Sequence, residues 1–463
     1  MGDETLACVV LAAGESTRMK SAVGKALHTL CGVPLLGRVL RTLRELEPSR
    51  LVVVVGPDAD EVEELARAQG ATTCVQRERL GTGHATLQAE GALEGFEGVV
   101  LLTCVDVPLL RVETLRALRA QHRDSAAAAT LLSAEYRDPT GYGRVVRGSD
   151  GSVQAIVEQR EADDETRRIR EINSSVYCFD SRLLFQLARQ VGASSATGEQ
   201  YLTDVIGLMV SRGERVEAMM VEDPAEIAGI NNRVQLAEAE RVLRNRVRER
   251  LMLAGVTLID PTTIYIDEDV RIGQDTTVWP CSFIRGNCAI GSGCEIGPHV
   301  TIEECEIGDR VRVIHGSFVR ESRVGDDVSI GPFAHVRADS DIGPQARVGS
   351  HVELKAARIG EGTKASHFAY LGDVRIGAGS NIGAGAVTCN YDGVRKHQTI
   401  IEDGAFIGSN ASLVAPVTVG AGAYVAAGST ITQDVPPGAL AVGRGKQRNI
   451  EGWAKRKGRR TEG

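Results

Sequence analysis

Aromatic residues are scarce in this chain: two Trp, eight Tyr and eight Phe, 4% of 463 residues. No apolar run reaches the length of a membrane span, which excludes an integral helical membrane protein. Basic residues are in deficit, 53 Lys and Arg against 61 Asp and Glu for a net charge of −8. That balance excludes nucleic acid as the main partner and leaves room for a small anion held by a few local cations. Ten cysteines are scattered without a CxxC pair, and the opening MGDETLACVV has no basic region followed by a long apolar core. Neither a disulfide framework nor secretion is expected, and the compartment that fits is a reducing cytoplasm. What is present, 43% hydrophobic and 25% charged residues, suits globular units, and the length predicts two or more domains.

The first half reads as a parallel α/β sheet. Short apolar runs at 5–13 (TLACVVLAA), 51–55 (LVVVV) and 98–102 (GVVLL) alternate with amphipathic patterns such as LLGRVLRTLREL and ADEVEELARAQG. Such sheets bind ligands beyond the carboxyl ends of their strands, where the loop LAAGESTRM and the segment CVDVPLL (104–110) both fall. The loop is neither a Walker loop nor a GxGxxG fingerprint. With Arg18 and Lys25 close by, its backbone N–H groups could meet a phosphate. QRERLGTGHA (76–85) adds a polar loop in which Gly81 and Thr82 can approach a base, and Asp106 at a strand end could hold Mg²⁺. Taken singly, each of these segments also reads as an ordinary turn or helix cap.

Residues 234–254 contain no Gly or Pro and space Leu236, Ala239, Leu243, Val247 and Leu251 three or four apart, the pattern of an amphipathic connecting helix. From about residue 255 a period of six takes over. Ile266, Ile272, Val278, Ile284, Ile290, Ile296 and Ile302 keep phase; after slips of five, Val324, Ile330, Val336, Ile342, Val348 and Leu354 do the same, and a third series runs Ile401, Ile407, Leu413, Val419, Val425, Ile431. This hexapeptide period predicts a parallel β-helix of three hexads per coil, with the aliphatic residue on the axis and Gly or Asn turning each corner. The phase breaks at CNYDGVRKHQT (389–399), which must leave the coil as a loop, and such loops tend to carry function.

His335, His351 and His367 follow at steps of sixteen and invite a zinc reading, yet they stand at −1, +3 and +2 from the axial positions 336, 348 and 365 and do not share a face. Cys281, Cys288, Cys294 and Cys305 are expected to fill small sites in the coil. The basic tail KRKGRR (455–460) reads as a solvated end that could also meet coenzyme phosphates.

These segments together resemble the bacterial bifunctional N-acetylglucosamine-1-phosphate uridyltransferase/glucosamine-1-phosphate acetyltransferase family over essentially the full length. The matching stretches are LAAGESTRM, RLGTGHA, VDVPLL, DPTGYGRVV, IVEQREA, EINSSVY, TGEQYLTD and GINNRVQLAEAE, then GPFAHVR, VELKAARIGEGTKASHFAYLGD, NIGAGAVTCNYDGVRKHQTII, IGSNASLVAPVTVGAGAYVAAGSTIT and EGW. The second group is the more specific, because sugar nucleotidyltransferases in general share the first.

The resemblance implies a Rossmann-like nucleotidyltransferase domain at 1–233, a linker helix at 234–254 and a left-handed parallel β-helix acetyltransferase domain at 255–463. It implies acetyl transfer from acetyl-CoA to glucosamine 1-phosphate, then uridylyl transfer from UTP to N-acetylglucosamine 1-phosphate with release of pyrophosphate. The product, UDP-N-acetylglucosamine, is a precursor of peptidoglycan and lipopolysaccharide. A cytoplasmic homotrimer, with acetyl-transfer sites at subunit contacts, is implied too.

Carried over by position, Asp106 and Asn231 would hold Mg²⁺, and Arg18 and Lys25 would stabilise the pyrophosphate. Leu11, Ala12, Ala13, Gly14, Gln76, Gly81, Thr82, Cys104 and Val105 fall to the nucleotide, and Gly143, Glu158 and Asn173 to the sugar. His367 matches the base that deprotonates the glucosamine ammonium. Arg337 and Lys355 match the sugar-phosphate clamp, with Tyr370 and Asn381 on the sugar. Ala384, Asn390, Tyr391, Ser409, Ala427 and Arg444 fall to acetyl-CoA.

The chain departs from the family pattern at Ser16 (usually Gly), Gly24 (usually Pro), Cys104 and Val105 (usually an aromatic and Gly) and Arg160 (usually Lys). At Val105, a backbone with φ > 0 would cost a β-branched side chain about 1–3 kcal/mol. Three alternatives therefore stand beside the bifunctional enzyme: a single-activity sugar nucleotidyltransferase with a structural β-helix, an acetyltransferase with a weakened uridyltransferase domain, and a non-catalytic scaffold.

Overall fold

In the computed structural model, residues 5–15, 17–194 and 197–456 are described. Ser16 and residues 457–460 of the basic tail lie outside them. The chain divides into two compact units, the first ending at Asn245 and the second beginning at Arg246.

In the first unit the apolar run at 5–13 becomes strand β1 (Leu6–Ala12), followed in order by α1 (Leu35–Arg44), β2 (Arg50–Val55), α2 (Asp60–Ala68), β3 (Thr72–Val75), α3 (Thr82–Gln88), β4 (Val99–Cys104) and α4 (Val112–Ser125). Strands β1, β2, β3 and β4 pair in parallel, as the alternation of apolar runs and amphipathic helices predicts. Continuous burial on both sheet faces explains why these strands read as unbroken Val and Leu runs: Val9, Val10, Val52, Val53, Leu101 and Leu102 are all inaccessible.

The sheet continues through β5 (Ala129–Glu135), the β6 (Arg144–Arg147) and β7 (Val153–Val157) hairpin, β8 (Glu171–Asp180) and β9 (Val216–Met220). Its order is β9-β5-β8-β4-β1-β2-β3. β8 runs antiparallel to both β4 and β5, so the sheet is mixed rather than parallel throughout. Helix α5 (Ser181–Ala188) follows β8 directly because Asp180 caps it, its carboxylate accepting the N–H groups of Arg182 and Leu183 at 3.0 Å each.

The Gly-free segment forms α7 (Arg233–Leu253), after α6 (Thr203–Ser211). Asn232 caps α7 by accepting the Gln235 N–H (2.9 Å), and the Gln235 side chain reaches back to the Asn231 N–H (2.7 Å), a variant of the capping box. Ala239 and Leu243 belong to the core of the first unit, Val247 and Leu251 to that of the second.

The second unit is a parallel β-helix built of strands two to seven residues long. Tyr265 pairs with Phe283 and Phe283 with Thr301, eighteen residues on each time, while two further strands intervene on each circuit. Every residue of the three hexad series is buried and belongs to one continuous core. At the slips of five, the coil shortens by one residue, so that Ala289 pairs with Glu306.

The corners differ from expectation. Many are turned by non-Gly residues in the left-handed region, among them Cys281, His299, Phe333, His351 and Phe368 with φ between 46° and 59°. Each such residue costs roughly 1 kcal/mol locally, and stacking on the coils above and below holds it there. Cys288, Cys294 and Cys305 fill buried sites as predicted, whereas Cys281 takes one of these half-exposed corners. The segment 389–399 leaves the coil: Tyr391 and Lys396 bridge as a small hairpin before Thr399 rejoins the sheet beside Val374.

Candidate active sites

A cavity of about 1150 Å³ opens at the carboxyl ends of β1, β2 and β4. Leu11, Ala12, Ala13, Gly14, Arg18, Lys25, Gln76, Gly81, Thr82, Cys104, Val105, Asp106 and Asn231 all line it, so residues far apart in sequence converge there. The Lys25 Nζ stands 2.9 Å from the Asp106 carboxylate and donates at 3.3 Å to the Asn231 side-chain oxygen, which also accepts from Arg18 at 2.8 Å.

The chain fixes this cluster from behind. The Ile230 N–H donates to the Asp106 carbonyl (2.9 Å), Gln235 holds the Asn231 N–H, and the Gly229 N–H donates to the Tyr142 hydroxyl (3.2 Å). A carboxylate and an amide oxygen form a hard donor pair of the kind Mg²⁺ takes from protein when phosphates supply further ligands. Lys25 lies between them, so the place already holds a positive charge.

On the opposite wall, Gln76 is buried and its side-chain amide donates to the Gly81 carbonyl at 3.1 Å. Gly81 has φ 111°, and a Cβ there would fall 2.5 Å from the Gln200 carbonyl oxygen, so only glycine fits. The Thr82 hydroxyl accepts the Leu202 N–H (3.0 Å) at the start of α3.

Gly143, Glu158 and Asn173 do not line the cavity; they group together behind Cys104. A Cβ on Gly143 would lie 3.5 Å from the Glu158 carboxylate, and the Asn173 N–H donates to the Gly143 carbonyl at 2.9 Å. Burial pushes the Glu158 carboxyl above the ordinary range, opposed by a hydrogen bond from Thr203 (3.1 Å) and reinforced by Glu161, Asp204 and Glu199. Burial, with the Asp106 carboxylate beside it, likewise pushes the Cys104 thiol well up, which keeps it an inert neutral group.

The departures at Gly24 and Val105 are benign in the backbone. Val105 is absent from the left-handed residues; its N–H donates to the Leu11 carbonyl (3.0 Å) and its side chain packs in the core. Gly24 has φ −58° and ψ 145°, the conformation that proline imposes. Arg160 lines the cavity mouth and stands 3.9 Å from Glu199.

In the β-helix, strand register aligns the second group. Ser350 pairs with His367, Ala365 with Ile382, Ile382 with Ile407 and Ile407 with Val425. Two residues beyond the last four lie His367, Ala384, Ser409 and Ala427, stacked along one edge of successive coils. Arg444 joins that edge by donating to the Ala427 carbonyl at 2.7 Å. Asn381 pairs with Lys364, three residues before His367.

His367 stands before the face that begins at Tyr370, and Arg337 and Lys355 stand at its far end, where Lys355 pairs with Gly372. Arg337 bonds Glu353 at 2.9 Å. The Lys396 amine of the excursion hydrogen-bonds and repels that of Lys355, holding it below the ordinary range, while Asp373 opposes the shift. Asn390 bonds Asp373, and Asp392 ties the hairpin through the Arg395 and Val394 N–H groups and His397 (2.7 Å). Tyr391 is exposed at the bridge with Lys396 that closes the hairpin.

The three histidines of the zinc reading stay apart in role. His335 stacks on Phe318 and His351 on Phe368. No group of three or more His, Cys, Asp or Glu suited to a metal occurs among the described residues.

Sequence reasoning missed Tyr142, Gln235, Thr203, Glu15 and Arg79. They act by contacts across loops, for which no spacing gives a signal, although all five stood inside the matching stretches.

The description "MobA-like NTP transferase domain" matches residues 8–200, and six repeats described as "bacterial transferase hexapeptide" match 269–304, 321–356 and 398–433. The chain is similar to proteins named Bifunctional protein GlmU from Trichlorobacter lovleyi (49% identical, 97% of this chain and 98% of the relative), Streptomyces avermitilis (51%, 97% and 94%) and Geobacillus thermodenitrificans (48%, 97% and 97%). A solved UDP-glucose pyrophosphorylase complexed with UDP-glucose overlaps 53% of this chain and all of that one, with a TM-score of 0.44 and 15% identity. A nucleotidyltransferase unit and a hexapeptide-repeat unit are thus joined as in relatives matched from end to end, and the chain belongs to the family of the bifunctional GlmU transferases.

Proposed function

We propose that the first unit joins UTP to N-acetylglucosamine 1-phosphate, releasing pyrophosphate, and that the second makes that sugar phosphate by acetyl transfer from acetyl-CoA to glucosamine 1-phosphate. The carrying observation is that Arg18, Lys25, Asp106 and Asn231 converge on the floor of one cavity beside the Gln76–Thr82 wall. Nucleotidyl transfer needs positioning and charge neutralisation more than covalent chemistry, because the sugar phosphate is itself the nucleophile. Its phosphate oxygen forms the new bond to the α-phosphorus of UTP while the bond to the β-phosphate oxygen breaks. Arg18 and Lys25 neutralise the departing pyrophosphate. Asp106 and Asn231 would hold Mg²⁺, which would supply charge neutralisation for the phosphates when bound.

In the second unit, His367 takes a proton from the glucosamine ammonium, the free amine attacks the thioester carbonyl, and the C–S bond breaks to release the coenzyme thiol. The edge formed by Ala384, Ser409, Ala427 and Arg444 runs away from His367 as a track for the coenzyme. Arg337, Lys355 and Lys396 offer a phosphate three cations, and its binding would relieve their mutual repulsion. A cytoplasmic homotrimer belongs to the same proposal; among the described residues no helix is long and apolar enough to cross a membrane.

The test is a pyrophosphate-release assay with UTP, Mg²⁺ and N-acetylglucosamine 1-phosphate, beside an acetyl-transfer assay. Asp106→Ala should abolish the first and spare the second, and His367→Ala the reverse. No turnover above the Asp106→Ala level in the unaltered protein would overturn the uridylyl assignment.

A further inference from the structure

We propose that Arg79 is a positioning residue of the nucleotide cavity, a strap that fixes the distance between its two walls. Arg79 belongs to the wall that runs from Gln76 to Thr82. Its Nε donates to the Ala13 carbonyl on the other wall at 3.0 Å, and its guanidinium pairs with Glu15 at 2.7 Å. One planar fork thus serves two acceptors of the β1 loop at once.

Room for the fork comes from Gly56, at the end of β2. A Cβ there would lie 3.0 Å from the Arg79 guanidinium and 3.1 Å from the Ala13 carbonyl oxygen. Elsewhere this wall is tied at its start to β2, where the Gln76 N–H donates to the Val55 carbonyl at 2.8 Å, and to the segment around Gln200, whose N–H donates to the Leu80 carbonyl at 2.7 Å and whose carbonyl accepts the Gly83 N–H at 2.8 Å. Those ties hold it to its own side of the cavity, whereas the Arg79 fork reaches across to the β1 loop.

The ion pair with Glu15 is largely exposed and contributes little by itself. The bond to the Ala13 carbonyl is half-buried and charge-assisted, so the geometric constraint rests there. A lysine cannot replace it, because one ammonium lacks the fork that reaches carbonyl and carboxylate together. The strap acts before the nucleotide arrives, by holding the walls at binding distance.

This inference rests on the uridylyl reading of the cavity, and direct binding separates the two. UTP binding is measured by calorimetry and uridylyl transfer by pyrophosphate release, for the unaltered chain, Arg79→Met, Arg79→Lys and Glu15→Gln. Arg79→Met should weaken UTP binding and raise its KM by about three- to tenfold with kcat within about twofold. Arg79→Lys should rescue less than half of that loss, and Glu15→Gln should cost about twofold or less. Acetyl transfer and the thermal unfolding midpoint report that each variant is folded. Unchanged UTP affinity in Arg79→Met, full rescue by lysine, or a fall in kcat at unchanged KM would overturn the strap. Failure of the unaltered chain to bind UTP would overturn the reading of the cavity itself.

Discussion

At the scale of single residues, Gly24 and Val105, two positions expected to depart from the family's pattern, prove to be ones the backbone tolerates. Val105 carries no left-handed strain and adds an apolar side chain to the core. Gly24 holds the shape that proline imposes, with φ −58° and ψ 145°, and nothing lies within 4 Å of where its Cβ would be. Its carbonyl accepts the Leu27 N–H at 3.0 Å, a bond that proline leaves intact. Glycine at such a site confers only entropy on the unfolded chain. Gly24→Pro should therefore raise the stability of the first unit by about 0.4–1 kcal/mol, read by denaturant unfolding, with uridylyl transfer retained. A lower stability would mean that the segment before Lys25 needs to move.

At the scale of elements, legibility followed periodicity. The six-residue phase located the axial residues of its three series, because one aliphatic side chain per face must point inward on every circuit, but it passed over Ile307, Val313 and Val319 and the stretch from Ile359 to Ile382 where the phase slips. The antiparallel β8 was not legible, since its apolar half, Val176 to Phe179, is buried on both faces like the parallel strands, and such burial hides direction. The corners were only half legible, for stacking between coils overrides the local preference for Gly or Asn that sequence reasoning relies on. The site was legible where a motif supplies its own backbone, as at Gly81, and illegible where it depends on a contact such as Arg79 to Ala13, 66 positions apart.

Coil stacking also yields a prediction at this scale. Gly349 precedes Ser350, the partner of His367, and a Cβ there would lie 1.9 Å from the Ser366 carbonyl oxygen. Gly349→Ala must displace the strand that carries His367. It should lower the unfolding midpoint of the β-helix and reduce acetyl transfer at least tenfold, while uridylyl transfer stays unchanged. Full acetyl transfer would show that the coils slide without disturbing that edge.

For the whole molecule, two units with separate hydrophobic cores carry two groups of site residues, one wholly before Asn245 and the other wholly after Arg246. The cavity of the first unit opens to the surface, so N-acetylglucosamine 1-phosphate can enter it from solvent. Nothing in this arrangement requires the two activities of one chain to work on the same molecule of intermediate. A mixture of His367→Ala and Asp106→Asn proteins, each lacking one step, should then convert glucosamine 1-phosphate, acetyl-CoA, UTP and Mg²⁺ to UDP-N-acetylglucosamine, although neither protein does so alone. The rate should rise with the concentration of either partner, because the intermediate must accumulate in bulk before the second step runs at speed. A mixture that stays inactive while each variant keeps its remaining activity would mean that the intermediate never leaves the assembly that makes it.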